Sequence, residues 1–356
     1  RIEDMQIGDY IICEYQANSG AVGEFRNLGT STAPEIPVTG AVAPNGSFYL
    51  VMVDKKLGHG GLLIADRVIQ HSISWDTLNA GKVIQGLPWG NVIPIMTSNT
   101  TPSGEVSASG YSSTYYPYKA FDGIKNNDNN MFMFNAVQGW LQYKFPFPRK
   151  IIKYGVTGHH NATWVSQSPK DWTFEASNDG VNWVILDTVT NQTGWGAAET
   201  RYFTINNDSY YLYYRINVTA NNSGSDNYRT AISELEMFEY DIKFRSLTGG
   251  VAYADANGNS STTDQGTGKA FPSNSEFDKY IIGFNLTKIQ SGKTPFDVFH
   301  HDVVKTWTQD TPIISIAAAT NRVARGGTTG LDNFSVFASS TANATVGFRP
   351  VLEFRE

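Results

Sequence analysis

Three polar loops set aromatic rings among hydrogen-bonding side chains: Gly158-His159-His160-Asn161-Ala162-Thr163-Trp164, Asn191-Gln192-Thr193-Gly194-Trp195-Gly196, and Asn221-Asn222-Ser223-Gly224-Ser225-Asp226-Asn227-Tyr228-Arg229. An aromatic residue in such a loop lacks the alternation that buries a strand residue, and a large ring left in solvent is informative. Trp164, Trp195 and Tyr228 are therefore candidate platforms, with His159, His160, Asn161 and Arg229 as hydrogen-bonding partners. Plain packing against the loop is the competing reading for each. The chemistry on offer is recognition. No Gly-x-Ser-x-Gly elbow, Walker loop, His-Glu-x-x-His pair or dinucleotide fingerprint occurs. Cys13, the only cysteine, allows no internal disulfide, has no His-containing partner motif, and reads as a small buried hydrophobe. The pairs His159-His160 and His300-His301 invite a metal reading. Strand neighbours point to opposite faces, however, and no second His or Cys pair stands at zinc spacing. The 33 carboxylates leave a glycosidase pair open.

Those loops must be held by strands. Around them lie short aromatic runs: Gly139 to Phe145, Lys150 to Val156, Asp171 to Ala176, Asn182 to Asp187, Arg201 to Ile205, and Tyr211 to Val218. Trp140-x-Gln142-x-Lys144 against Leu141-x-Tyr143-x-Phe145 is the period of a half-buried strand. Asn178-Asp179-Gly180 supplies a tight turn between two such runs, because Asp-Gly tolerates positive φ. Several strands of this kind predict a sandwich or jelly roll.

The order of Tyr118-Lys119-Ala120-Phe121-Asp122-Gly123, Trp172 to Gly180, and Ile232-Ser233-Glu234-Leu235-Glu236 resembles the discoidin, or factor 5/8 type C, family, which overlaps family 32 of carbohydrate-binding modules. The resemblance covers residues 97–240 and implies a β-sandwich that holds a glycan at loops on one end. There an aromatic ring stacks on a sugar and His, Arg and Asn bond its hydroxyls. It also implies that Trp172 and Trp183 are core residues and that a structural calcium ion is held by Asp122, by the loop after it and by Glu234. This loop departs from the family by running into Met131-Phe132-Met133-Phe134 where a Ser or Thr precedes a Trp, and Asn127 is its expected contributor.

Composition turns to Ser, Thr, Gly and Pro near Met96 to Gly104, and a strand leaves the central stretch near Phe238 to Asp241. The expected organisation is an inner domain, 97–240, inserted in an outer domain made of 1–96 and 241–356, with three consecutive domains as the alternative. The outer domain is expected to be β-rich or α+β. Its strands are predicted at Tyr10 to Tyr15, Ser47 to Asp54, Gly60 to His71, Lys279 to Phe284, Ile313 to Ala317 and Val346 to Phe354. A short helix is predicted after Ser74 and ending at Gly81, and a long exposed loop over 249–268. Asp66, Arg67, His71 and Asp76 read as a polar network tying strands together. The run Leu62 to Asp76 and the closing Gly347-Phe348-Arg349-Pro350-Val351-Leu352-Glu353-Phe354 resemble tail-associated proteins of phages and phage-tail-like bacteriocins of Gram-positive bacteria, and the stretch Thr101 to Ser109 resembles the entry strand of discoidin domains appended to phage tail proteins. The closing run is also similar, more loosely, to C-type-lectin-like folds.

Hydrophobic residues make up 40% and charged residues 17%, which favours strands and polar loops and gives a mainly β class. Net charge is −6 and no Lys/Arg run exceeds two, so the footprint of nucleic-acid binding is missing. No window offers the ~20 apolar residues of a membrane span. The start lacks Met and a signal-peptide pattern, so a fragment of a longer chain is expected. Together these readings predict a non-catalytic, extracellular receptor-binding protein of a phage tail or tail-like particle. Its partner is a host cell-surface or cell-wall carbohydrate, and a homotrimer is the expected assembly. The alternative is a secreted adhesin or the binding module of a larger glycosidase, with an enzyme in the outer domain as a third reading.

Overall fold

The computed structural model describes residues 2–56, 60–223, 229–328 and 334–355. The chain is mainly β and divides into an inner unit, Gly90–Asp241, and an outer unit formed by Arg1–Trp89 and Ile242–Glu356. The inner unit begins seven residues before the expected 97 because Ile93 and Met96 are buried in its core.

The inner unit is a β-sandwich. One antiparallel sheet runs in the order Val184–Val189, Pro169–Ser177, Tyr211–Asn221, Gly139–Arg149, Glu105–Ala108. Facing it, Lys153–Thr157 pairs on one side with Thr200–Thr204 and on the other with the start of Glu234–Arg245. Leu141, Tyr143 and Phe145 are buried while Gln142 and Lys144 are not, as the alternation requires. Between the layers the Tyr154 ring stacks on Phe174 at 4.0 Å and 4°. The Trp172 indole N–H donates to the Tyr154 hydroxyl at 3.0 Å, and that hydroxyl donates to Asp187 at 2.8 Å, so these polar atoms between the layers are satisfied. Trp183 corrects the expectation of a second core tryptophan. It is half-buried at the sheet surface, with the Arg215 guanidinium 3.8 Å above its ring. The turn after Ser177 holds itself through Asp179, whose carboxylate accepts the backbone N–H groups of Val181 and Asn182 at 2.8 Å.

The outer unit contains an antiparallel sheet in the order Val351–Arg355, Gly60–Ala65, Asn45–Lys56, Tyr10–Gln16, Glu24–Arg26. A second sheet orders Phe334–Ala338, Asn321–Arg325, Lys305–Trp307, Val346–Phe348 and Gln70–His71. Cys13 lies fully buried in the first sheet, where burial pushes its thiol up to about 12. Helix Trp75–Ala80 is capped by the Ser74 side chain and closed at Gly81. Asp66 and Arg67 form a buried ion pair at 2.6 Å, with Arg67 also donating to the Ile36 carbonyl at 2.5 Å, while Asp76 accepts from Ser339 at 3.0 Å. Asp66 and Arg67 thus form part of the expected network, whereas His71 meets its neighbour Ser72 at 3.0 Å and Asp76 ties the helix to the turn at Ser339.

Three outer-unit expectations are corrected. Residues 279–282 belong to a helical turn, Phe277–Ile282, that ends at Gly283, and Phe277, Ile281 and Phe284 are buried at helical spacing rather than in alternation. The run Ile313 to Ala317 is a turn, closed by the Ile316 N–H on the Ile313 carbonyl at 2.9 Å, with Ile314 83% exposed. The segment 249–268 is not one loop, because it contains the strands Ala252–Ala254 and Ser260–Ser261. The closing run breaks at Arg349-Pro350 into two strands. Arg349 is fully buried between the Thr306 hydroxyl, 3.1 Å, and the Ala65 carbonyl, 2.7 Å.

Candidate functional site

At one end of the sandwich the chain leaves the strand Lys153–Thr157 and is immediately tied down. The Gly158 N–H donates to the Glu199 carbonyl at 3.0 Å, and the Ala198 N–H to the His159 carbonyl at 3.2 Å. Gly158 is needed for a close approach: a Cβ there would sit 2.6 Å from the Ser168 hydroxyl and 2.8 Å from the Trp195 ring. Ser168 in turn accepts the His159 N–H at 2.9 Å. The Asn161 side chain caps the short helix Ala162–Gln167 by accepting the Thr163 N–H at 2.9 Å. That helix carries Trp164, which is 42% exposed.

His159 and His160 were expected on opposite faces, as strand neighbours are. They lie in a loop instead, with their rings stacked at 4.9 Å. His159 is buried and its Nδ1 accepts the Asn161 N–H at 3.1 Å; burial and the neighbouring His160 push its imidazole down to about 4, so it is neutral at pH 7. His160 presents Nε2 to the exposed Asp128 carboxylate at 2.6 Å. This contact brings in the loop that follows Asp122.

Trp195 corrects the expectation of an exposed platform. It is 6% exposed, with its indole N–H shared between the carbonyls of Pro169, 2.9 Å, and Gln192, 3.1 Å, and the Arg201 guanidinium 4.2 Å over its ring. The loop's hydrogen-bonding partners are backbone atoms and point inward, which loop polarity does not reveal. Trp195→Phe is expected to cost the inner unit about 0.5–1.5 kcal/mol in chemical denaturation, because each carbonyl loses one hydrogen bond while keeping that from Asn222. Two bracing residues escape sequence reasoning. Arg201 also donates to the Thr193 and Gly194 carbonyls, each at 3.0 Å, and Asn222 bonds the carbonyls of Ser168 at 3.1 Å and Gln192 at 2.9 Å. Arg201 sits in an ordinary strand run and Asn222 in a polar loop, and neither carries a distinguishing signal. Arg229 is exposed, and its carbonyl accepts from Asn221 at 3.3 Å. Tyr228 lies outside the described residues. The structure thus sets His159, His160, Asn161 and Trp164 on one loop and the short helix after it, with Gly158 of that loop close against the buried Trp195.

A second cluster lies where Glu234 meets Asp122. Both Glu234 oxygens accept the Gly123 N–H, at 3.2 and 3.3 Å, and Asp122 accepts from the Ile124 N–H and the Asn130 side chain, each at 2.9 Å. Asn130 is the loop side chain that reaches Asp122, while the side-chain oxygen of Asn127, the expected loop contributor, accepts the Asn129 N–H at 2.9 Å. Asp122 and Glu234 are 8% and 2% exposed. Burial raises both carboxyls above their ordinary values, for Glu234 with help from Glu236. The nearby Lys125 ammonium is spent on Glu236 at 2.9 Å. Two buried carboxylates short of positive charge form an all-oxygen donor set of the kind a hard cation takes. Among the described residues no three His, Cys, Asp or Glu side chains converge as a metal-binding group, so backbone carbonyls or water would have to complete one.

No family model matches the sequence, and no curated protein matches it. Solved structures similar to part of the chain include carbohydrate-binding and lectin modules. They include chitosan-binding module 1 of a chitosanase/glucanase from Paenibacillus sp. IK-5 (18% identity, TM-score 0.32, covering 42% of this chain and 99% of that one). A fucose-binding module of Streptococcus pneumoniae gives 14%, 0.34, 43% and 99%, and the family 32 module of Streptococcus pneumoniae EndoD gives 15%, 0.31, 40% and 99%. No residue role is taken from them.

Proposed function

We propose that this chain is a non-catalytic receptor-binding protein of a phage tail or phage-tail-like bacteriocin, and that the loop end of its inner unit grips a host cell-surface glycan. The observation that carries the reading is Trp164, an exposed ring on a short helix whose cap, Asn161, and flanking loop are fixed by hydrogen bonds. A ring held rigidly beside polar side chains offers an apolar face and directed bonds at low entropic cost, the combination that binds a sugar. The phage context draws on the outer unit, where two of the resembling stretches are neighbours, Leu63 opposite Leu352 and Ile64 opposite Val351. The particle is extracellular in this reading and the chain a homotrimer, which light scattering tests. The inner unit holds a structural calcium ion through Asp122 and Glu234.

The test is a glycan array together with pull-down on host cell walls. Trp164→Ala is expected to weaken binding at least ~tenfold, the loss of about 1.4 kcal/mol, with unchanged melting. Undiminished binding by that variant removes the site. Retained binding with no tail genes beside this one would favour the adhesin reading.

A further inference from the structure

We propose that the outer unit carries a second, independent binding groove that takes an anionic saccharide. A cavity of about 640 Å³ is lined by Tyr10, Tyr49, Asp66, Lys288, Gln290 and His300, among others. That volume lies within the ~300–1,000 Å³ of ligand sites. Its wall is aromatic: Tyr10 is 70% exposed and stands edge-on to Tyr49, with centroids 5.4 Å apart. The other side is brought close by Gly8, whose φ of 97° places its backbone so near Lys288 that a Cβ would lie 3.1 Å from that side chain.

The charges lining the groove are unevenly spent. Asp66 is neutralised by Arg67 at 2.6 Å, and Lys293 lies 3.5 Å from Asp297. Lys288 has no such ion pair among the described residues, and the hydroxyls of Tyr10 and Tyr49, the Gln290 amide and the His300 ring make no hydrogen bond there. Burial lowers the His300 imidazole, so it is a neutral donor and acceptor at pH 7. The groove therefore offers two aromatic rings, several uncommitted hydrogen-bonding groups and one uncompensated cation. A saccharide unit bearing a carboxylate or phosphate uses all three, whereas a neutral one leaves the ammonium without a partner.

Titration calorimetry of the full chain with tetragalacturonic acid, using maltotetraose as the uncharged counterpart, tests this. The acidic ligand is expected to bind more tightly than the neutral one. Tyr10→Ala and Lys288→Ala should each weaken it roughly tenfold, and Lys288→Ala should flatten its dependence on salt. Trp164→Ala should leave it unchanged, which separates this groove from the loop end of the inner unit. Tyr10, Lys288 and Trp164 are all exposed, and equal melting temperatures confirm that the variants fold. Absence of tetragalacturonic acid binding, equal binding of both ligands, indifference to Tyr10→Ala and Lys288→Ala, or loss on Trp164→Ala alone would each overturn the proposal.

Discussion

Asp278→Ala is expected to destabilise the outer unit by about 3–5 kcal/mol, the cost of removing the carboxylate from a buried ion pair. Asp278 and Arg325 are 5% and 0% exposed. The guanidinium donates to both carboxylate oxygens, at 2.8 and 3.0 Å, and to the carbonyls of Gly249, 2.6 Å, and Gly268, 2.8 Å. Asp278 also accepts from the Ser275 hydroxyl at 2.5 Å and the Ala270 N–H at 3.3 Å. Alanine takes the carboxylate away from the guanidinium, which keeps the Gly249 and Gly268 carbonyls, and removes an acceptor from Ser275 and Ala270. Asp278→Asn should lose less, because it keeps an acceptor. The double replacement Asp278→Leu with Arg325→Met should recover much of the loss, since a well-packed apolar pair needs no desolvation of charge. Denaturant midpoints of the three variants check the order. A double variant no better than Asp278→Ala would show that the carbonyls of Gly249 and Gly268, rather than the carboxylate, set the cost.

The contrast between this pair and the inner unit shows what a sequence displays. Alternation in Gly139 to Phe145 is a local pattern, so Leu141, Tyr143 and Phe145 were legible as core, and Ser74 and Gly81 were legible as caps because their chemistry acts within four residues. The helical turn at Phe277–Ile282 was missed because its apolar residues fit either period over so short a run. Arg325 meets Asp278 across 47 residues and Arg201 covers Trp195 from another strand, and no local spacing announces either. The same limit governs the loop end. Trp164 and Trp195 read alike as aromatic residues in polar loops, yet one is exposed and the other donates to two backbone carbonyls. Only the fold decides which polar groups a ring will meet.

Calcium is expected to reverse the pH dependence contributed by Glu234. Burial, then Glu236, raises its folded-state pKa well above the ordinary 4.5. A raised carboxyl stabilises the fold at pH below its unfolded value, and that contribution is lost as pH rises through the folded value. Asp122, raised mainly by burial, has the same sign. Other carboxyls oppose it, Asp179 being held low by the Asn182 and Val181 amides, so the informative quantity is the difference between wild type and Glu234→Gln. In chelator, Glu234→Gln should gain on wild type as pH rises from about 4 to 8. With calcium at ~100 times its dissociation constant, wild type should gain ~2.7 kcal/mol, or about 5–10 °C in melting temperature. Glu234→Gln and Asp122→Asn should gain far less. Binding holds the carboxylates ionised, so in calcium the wild type should instead gain on Glu234→Gln as pH rises. Melting curves of the two proteins at three pH values, with calcium and with chelator, decide the matter. If calcium moves neither the melting temperature nor the slope of that difference, the two carboxylates are braces for the Gly123 turn and hold no ion.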